Sequence, residues 1–288
     1  MNIPNLDECV ISALKLFETQ KLPILKLGNF KRPLVVGSGN ALITGKIIFQ
    51  EKDAIFADES NYLSKIKYCD GVVLISASGG KHAPIIATEL HRRKKKIILF
   101  TNNSNAAARE FVVQTRVFPK QPEPYTYNTS TYMGMILAKT KENPALILKE
   151  LQKIKIPQNL NTYNAFFIIL PAEFELLKEM LQTKFDELFG PMVVGRIFTQ
   201  EQAKHAKTVI PSKKELFISF GYENKIFGTR RWNITLPAKV DYAMMMALTY
   251  YVIGNIQKQH PAYFKENIER YCKDASTLFG EKIEVIVR

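Results

Sequence analysis

The sequence predicts an α/β protein made of two doubly wound, parallel-sheet lobes of similar plan, each covered by helices. Two observations carry this. Short β-rich apolar runs recur at "PLVVGSG" (33–39), "AIFAD" (54–58), "GVVLIS" (71–76), "KIILFTN" (96–102) and "TRVFP" (115–119), with helix-length segments between several of them. The runs are continuous rather than alternating. That is the pattern of strands buried on both faces, and strands alternating with helices make βαβ units.

Taken in order, residues 5–20 read as an amphipathic helix ahead of the first strand. Helices are expected at 40–50, 60–68, 82–95 and 104–112. The loop "PKQPEPYTYNTS" (119–130), with prolines at 119, 122 and 124, closes the first round. Helices at about 130–142 and 144–155 follow, and "IPQNLNTYN" (156–164) reads as a linker. A second round opens with "AFFIIL" and continues with a helix at 173–189 and a helical segment near 199–208. Strands at "ELFISF" (215–220) and "WNITLP" (232–237) precede long helices at 239–257 and 262–275. The expected lobes are therefore 1–155 and 156–288.

With 46% apolar and 23% charged residues, the 288-residue chain has the composition of a soluble globular protein. Cys9, Cys69 and Cys272 are odd in number and form no CxxC pair, so neither a zinc site nor a disulfide framework is indicated, and a reducing, cytoplasmic compartment is expected. The start, "MNIPNLDECVISALKLF", carries acidic residues where a signal peptide is basic. "YAMMMALTYYVIGNI" (242–256) is short for a membrane span and reads as a buried helix or, equally, as a surface packing two subunits. Lysine and arginine outnumber aspartate and glutamate by 40 to 27, a formal +13. The longest basic run, "HRRKKK" (91–96), closes a helix, where cations complement the dipole. No RNA-binding fingerprint or zinc-finger spacing accompanies it, so no nucleic-acid partner is expected, and no membrane partner either.

Three loops have the composition of anion sites. In open α/β sheets, anions bind beyond the carboxyl ends of strands, where helix N-termini point outward. "GSGNA" follows the first strand with Gly37, Ser38, Gly39 and Asn40. "SASGGK" follows the third with Ser76, Ser78, Gly79, Gly80 and Lys81. "TST", Thr129, Ser130 and Thr131, opens a helix. Hydroxyls at a helix start also cap it with no ligand present. A dinucleotide site with Asp58 as ribose acceptor would need glycine where Leu42 stands. Further on, Lys184 and Glu187 in "KFDE" are three apart on one helix face, and Glu201, Lys204 and His205 lie together in "EQAKHAK". These spacings also suit ordinary surface ion pairs.

The order of the loops, G-x-G after strand one, S-x-S-G after "DGVVLI", "ILFTN" and a hydroxyl-rich helix start, resembles the sugar isomerase (SIS) domain, a flavodoxin-like fold. The resemblance implies a phosphosugar ligand, its phosphate held by the S-x-S-G-x-T loop and neighbouring hydroxyls. Lys81 replaces that motif's threonine, and Ala41 replaces a serine after the first loop's glycines. The second half resembles the isomerase lobe of glucosamine-6-phosphate synthase and its relatives. That likeness implies Lys184 and Glu187 facing the sugar, Glu187 as base and His205 in ring opening. "KHA" stands for the family's "KHG", "LPAE" for a glycine-rich turn, and neither Lys273 nor Lys282 is a convincing match for its C-terminal lysine.

The implied chemistry is aldose–ketose isomerisation through a cis-enediol, or isomerisation or deamination of an amino-sugar phosphate through an enolamine. It needs no metal or cofactor. A carboxylate carries the proton between C2 and C1, an imidazole moves protons in ring opening, and a lysine steadies the developing oxyanion. Two readings stay beside it: a phosphoglucose or phosphomannose isomerase, and a non-catalytic phosphosugar-binding regulator. Against the regulator, no helix-turn-helix pattern precedes residue 30; separately, no glutamine-hydrolysing domain is expected, so ammonia delivery from glutamine is not part of the implied chemistry. A homodimer is expected, because relatives build sites at subunit boundaries.

Overall fold

The computed structural model describes residues 3–25 and 30–287. In chain order the elements are α1 (Leu6–Thr19), β1 (Pro33–Val36), α2 (Asn40–Phe49), β2 (Ile55–Ala57), α3 (Tyr62–Lys65), β3 (Gly71–Ile75), α4 (His82–Arg92), β4 (Ile97–Thr101), β5 (Gln114–Val117), β6 (Glu123–Pro124) and α5 (Thr129–Thr140). They continue with α6 (Pro144–Lys153), β7 (Ala165–Leu170), α7 (Leu177–Phe189), β8 (Val194–Thr199), α8 (Gln200–Ala203), β9 (Glu215–Phe220), β10 (Arg231–Ile234), α9 (Tyr242–Gln259), α10 (Tyr263–Phe279) and β11 (Ile286–Val287).

Two compact units share this chain. One comprises Ala13–Pro122 with Asn128–Lys141; the other takes the N-terminal residues through Ser12, then Glu123–Tyr127 and Glu142–Val287. Each is α/β and built on a parallel sheet, as expected.

In the first unit the strand order is β2-β1-β3-β4-β5 and every pairing is parallel. The chain leaves β1 to one side for β2 and returns to the other for β3. The carboxyl ends of β1 and β3 therefore flank the topological switch point, where open sheets bind ligands. β1, β3 and β4 are buried throughout, as continuous apolar runs require. Leu34, Val72, Leu74 and Leu99 pack on one face with Ile86, Ala87 and Leu90 of α4. Each leucine, valine or isoleucine so buried stabilises the fold by about 1.5–3 kcal/mol. On α2, a Cβ at Gly45 would stand 2.6 Å from Val35 Cγ1, so the missing side chain is what lets this helix lie close to β1.

In the second unit the order is β10-β9-β7-β8, again all parallel, with β7 and β9 at its switch point. A short antiparallel ladder, β6 with β11, ties Glu123–Pro124 to the chain end. α9 is buried along most of its length, including Met244, Met245 and Met246. It is core of this unit, which removes it as a surface between subunits.

Several local expectations are corrected. The segment 104–112 is a 3₁₀ turn over Ala107–Phe111, because the Asn103 carboxamide caps Asn105 and breaks the approach to a helix. α8 is a single turn rather than a helix to 208, opened by a Thr199–Gln202 capping box. The linker 156–164 holds a 3₁₀ turn whose Leu160 is fully buried and whose N–H donates to Gln259 Oε1. β8 is a strand the sequence reading omitted. Among the described residues no helix is long and apolar enough to cross a membrane, and no three His, Cys, Asp or Glu side chains form a group that could hold a metal ion. All three cysteines are buried, and none of them is in a disulfide.

Candidate active site

Seven residues of α7 are buried: Leu177, Met180, Leu181, Lys184, Phe185, Leu188 and Phe189. Their spacing is the apolar stripe of a helix packed on its unit, and Lys184 falls on it. The side chain is 0% exposed. Its ammonium donates to the Thr126 carbonyl (3.0 Å), the Tyr127 carbonyl (3.1 Å) and Glu187 Oε2 (2.6 Å). Three N–H donors thus meet three acceptors, the condition for burying a cation. The Tyr127 and Tyr250 rings stand 5.7 and 5.9 Å from the nitrogen. So this is no surface ion pair.

The two carbonyls are held in place from several sides. The Tyr125 N–H donates to the Val285 carbonyl, extending the β6–β11 ladder. The Tyr127 hydroxyl accepts from Gln257 Nε2 at 2.9 Å, and its ring lies 5.0 Å from Phe264. Asn128, in the left-handed region at φ 46°, then turns the chain into α5.

Glu187 keeps 23% of its side-chain surface. It lines a cleft of about 540 Å³ with Thr126, Phe189, Met192, Phe264 and Tyr271. Burial raises its carboxyl above the ordinary 4.5, and Lys184 pulls it part of the way back. Burial likewise raises the Tyr271 phenol, with the Glu187 charge adding to it. A carboxyl moved upward in this way suits proton transfer near neutral pH.

In the first unit, the β3 loop uses its serines internally while keeping their protons. Gly79 N–H donates to Ser76 Oγ, and Gly80 N–H to Ser78 Oγ, each at 3.2 Å. A hydroxyl that accepts from an amide still has its own hydrogen to donate outward. Gly79 is left-handed at φ +64°, and a Cβ there would collide with Ala106. Lys81, also at positive φ, is the N-cap of α4. After β1, a Cβ on Gly37 would stand 2.8 Å from the Leu42 nitrogen, and Gly39 caps α2 at φ +52°. Ser38 Oγ donates to Glu59. Asn40 is nearly buried and its Oδ1 has no partner. Thr129, Ser130 and Thr131 are fully buried at the start of α5. Ser130 Oγ accepts the Gln121 N–H at 3.3 Å, and Thr131 Oγ1 accepts from Asn102 Nδ2 at 2.6 Å.

Among solved structures the chain matches a glucosamine-6-phosphate deaminase from Thermotoga maritima, over 88% of its length and 92% of that chain, with TM-score 0.62 and 15% identity. This is the fold of the sugar isomerase (SIS) proteins. Other structures with the SIS fold agree. A tagatose-6-phosphate ketose/aldose isomerase from Escherichia coli matches over 88% and 90% (TM-score 0.59, 11% identity). The C-terminal domain of glucosamine-fructose-6-phosphate aminotransferase from Francisella tularensis matches over 91% and 94% (TM-score 0.58, 10% identity). At these identities the likeness establishes the SIS fold and nothing finer. No family model and no curated protein matches the chain by sequence.

Within the SIS fold, α7 runs back along β8, so Glu187 in its last turn lies by the amino end of that strand. His205 follows α8, beyond the carboxyl end. Six residues of β8 put roughly 20 Å between them, so one chain does not bring them together. His205 is exposed, and Glu201 pairs with Lys204 rather than with it. Sequence reasoning missed the carbonyls of Thr126 and Tyr127, for which no side-chain signal exists. It also missed Asn102 and Asn103, whose amides brace Thr131 and the Ser78 carbonyl. A polar pair straight after the apolar run "IILFT" was the available signal.

Proposed function

We propose that the chain is a phosphosugar aldose–ketose isomerase, or the closely related amino-sugar-phosphate isomerase or deaminase. The Lys184–Glu187 pair carries this reading: a buried cation fixes a carboxylate whose affinity for protons is raised and which opens on a cleft. The neighbours named as a deaminase and as a ketose/aldose isomerase support the substrate class.

Taken by itself, the first unit is fitted to hold a phosphate at its sheet's switch point. The phosphate takes hydrogen bonds from Ser76 and Ser78 and from the amides of the Gly37–Asn40 and Ser78–Lys81 loops, and it faces the N-termini of α2 and α4. Asn40 Oδ1, buried and unpartnered, accepts a sugar hydroxyl. Thr129, Ser130 and Thr131 brace this region from inside. In the second unit Glu187 is the group suited to take the C2 proton of an open-chain sugar and return it to C1, through a cis-enediol, or through an enolamine when C2 bears nitrogen. In the deaminase branch the resulting imine adds water and loses ammonia. General acid–base catalysis of this kind contributes on the order of 10²–10⁴-fold.

Lys184 has spent its three N–H groups on the protein and acts through Glu187, as a positioning residue. Ring opening by an imidazole requires His205 of a second copy, which agrees with a homodimer. Incubation in deuterated water with fructose, glucose, mannose and glucosamine 6-phosphates, each followed by NMR, tests the proposal. Deuterium at C2, product or ammonia supports it. Binding without exchange in all four would favour a phosphosugar-binding regulator.

A further inference from the structure

The cleft on which Glu187 opens has a lining that suits a second kind of ligand. Its walls are apolar and aromatic: Phe189, Met192, Phe264, Ile268 and Tyr271. Met192 and Tyr271 stand 55% and 50% exposed, so the apolar surface is open to solvent. The polar lining is Thr126, Asp186, Glu187 and the Asn267 amide, and both charged groups are acidic. Glu187 offers a carboxyl, Asp186 a second at the rim, and Thr126 a buried Oγ1 with no hydrogen-bond partner. No lysine, arginine or histidine is among the described residues lining it. In a chain of formal charge +13 the lining itself carries only acidic charge, with the buried Lys184 ammonium standing behind Glu187.

The volume, about 540 Å³, lies in the range of small-molecule sites, which are mostly apolar with a few convergent polar groups. We infer that this cleft binds a small cationic ring compound of the arylalkylamine type, its ring against Phe264, Ile268 and Tyr271 and its ammonium donating to Glu187 and Thr126 Oγ1. The fit is one of charge and shape together. An ammonium supplies a donor to the Thr126 hydroxyl oxygen, which has none, and further donors to carboxyls that already accept from Lys184 and Gln182, and the rings of Tyr263, Phe264 and Tyr271 give it aromatic faces. A neutral ring offers no charge to Glu187, and an anionic one meets two carboxylates of its own sign. The inference rests on where Glu187 sits and not on its being a base. An amine bound there would occupy the carboxyl and act as an inhibitor of whatever Glu187 does.

The test is calorimetry on the full chain with tryptamine and indole-3-acetate, which share a ring and differ in charge, with no sugar present. Tryptamine is expected to bind at least about tenfold more tightly than indole-3-acetate. Glu187→Gln should abolish most of that preference, and Tyr271→Ala should weaken tryptamine by about fivefold; circular dichroism and melting confirm that both variants are folded. Absence of tryptamine binding, a preference for the acid, or affinity unchanged in both variants overturns the inference. So does a dimer that excludes tryptamine and falls apart in Met192→Asp, since a second copy would then cover the cleft. Failure of the isomerase reading leaves these outcomes untouched. A Glu187→Gln variant dead in turnover yet unchanged in tryptamine binding would sink this inference alone.

Discussion

Lys184 Nζ lies 2.6 Å from Glu187 Oε2, and the lysine that makes this contact has no exposed surface. Burying the ammonium is tolerable because the Thr126 and Tyr127 carbonyls take its other two protons. Lys184→Met would leave both carbonyls and the carboxylate without their donor, at a cost of about 3 kcal/mol, measurable by urea unfolding.

The same substitution has a pH signature. Glu187 is already raised above 4.5 by burial, and Lys184 is the group that lowers it. A base must be ionised to act, so the acidic limb of kcat/KM should lie above pH 4.5 and move to still higher pH in Lys184→Met. Stability follows the opposite course. An acid with a raised folded pKa disfavours ionisation in the fold, so stability declines as pH climbs from 4.5 through the folded value. That decline should extend to higher pH in Lys184→Met. A limb that stays in place or moves down would separate Lys184 from Glu187 function.

At the anion loop, Ser76→Ala and Ser78→Ala should each weaken phosphosugar binding by about tenfold, read as a Kd by calorimetry. The melting point should change little, since each hydroxyl loses one hydrogen bond from a loop amide, worth about 1 kcal/mol. Unchanged affinity in both would remove the phosphate from this loop.

Two glycines of similar φ should respond differently to alanine. Gly79 (φ +64°) faces Ala106, whereas Gly280 (φ +66°) has nothing within 4 Å of a new Cβ. Gly280→Ala should cost about 1 kcal/mol from the left-handed conformation alone. Gly79→Ala adds a collision, and about 3 kcal/mol with loss of ligand binding is expected in thermal melts.

Lys258 donates to Asp7 Oδ2 at 2.5 Å, clasping α1 to α9 where a Cβ on Gly254 would strike Asp7. Burial raises the Asp7 carboxyl above 3.8, and Lys258 opposes the rise. Lys258→Met should therefore cost about 1–3 kcal/mol at neutral pH, discounted because the lysine is partly exposed. The cost should shrink toward pH 4, where Asp7 takes up a proton instead. A pH-independent loss would make this contact one of packing alone.

Much of the first unit was legible in sequence because its strands are buried on both faces and show it in "LVV", "GVVLI" and "IILF". β8 was not, for physical reasons. "VGRIFT" carries Arg196, whose guanidinium pairs with Glu215, and Gly195, whose missing Cβ admits the Phe185 ring. Its burial alternates, as an edge strand allows. The pairing of Lys184 with Glu187 was legible from their spacing, but not its depth; the stripe through Leu177, Met180, Leu181 and Leu188 already placed position 184 on the buried face. The carbonyls that make the burial possible belong to Thr126 and Tyr127, far away in sequence, and backbone acceptors leave no mark on composition. The motif sets His205 beside Glu187, and motifs do not report that a whole strand separates two positions.

The most direct measurement is C2 proton exchange into deuterated water, by NMR, for the chain and for Glu187→Gln with whichever phosphosugar binds. Exchange is expected in the parent, with a loss of roughly 10²–10⁴-fold in the variant and a Kd for the sugar that changes little. Exchange that persists in Glu187→Gln, or a parent that binds the sugar and exchanges nothing, would contradict the isomerase reading.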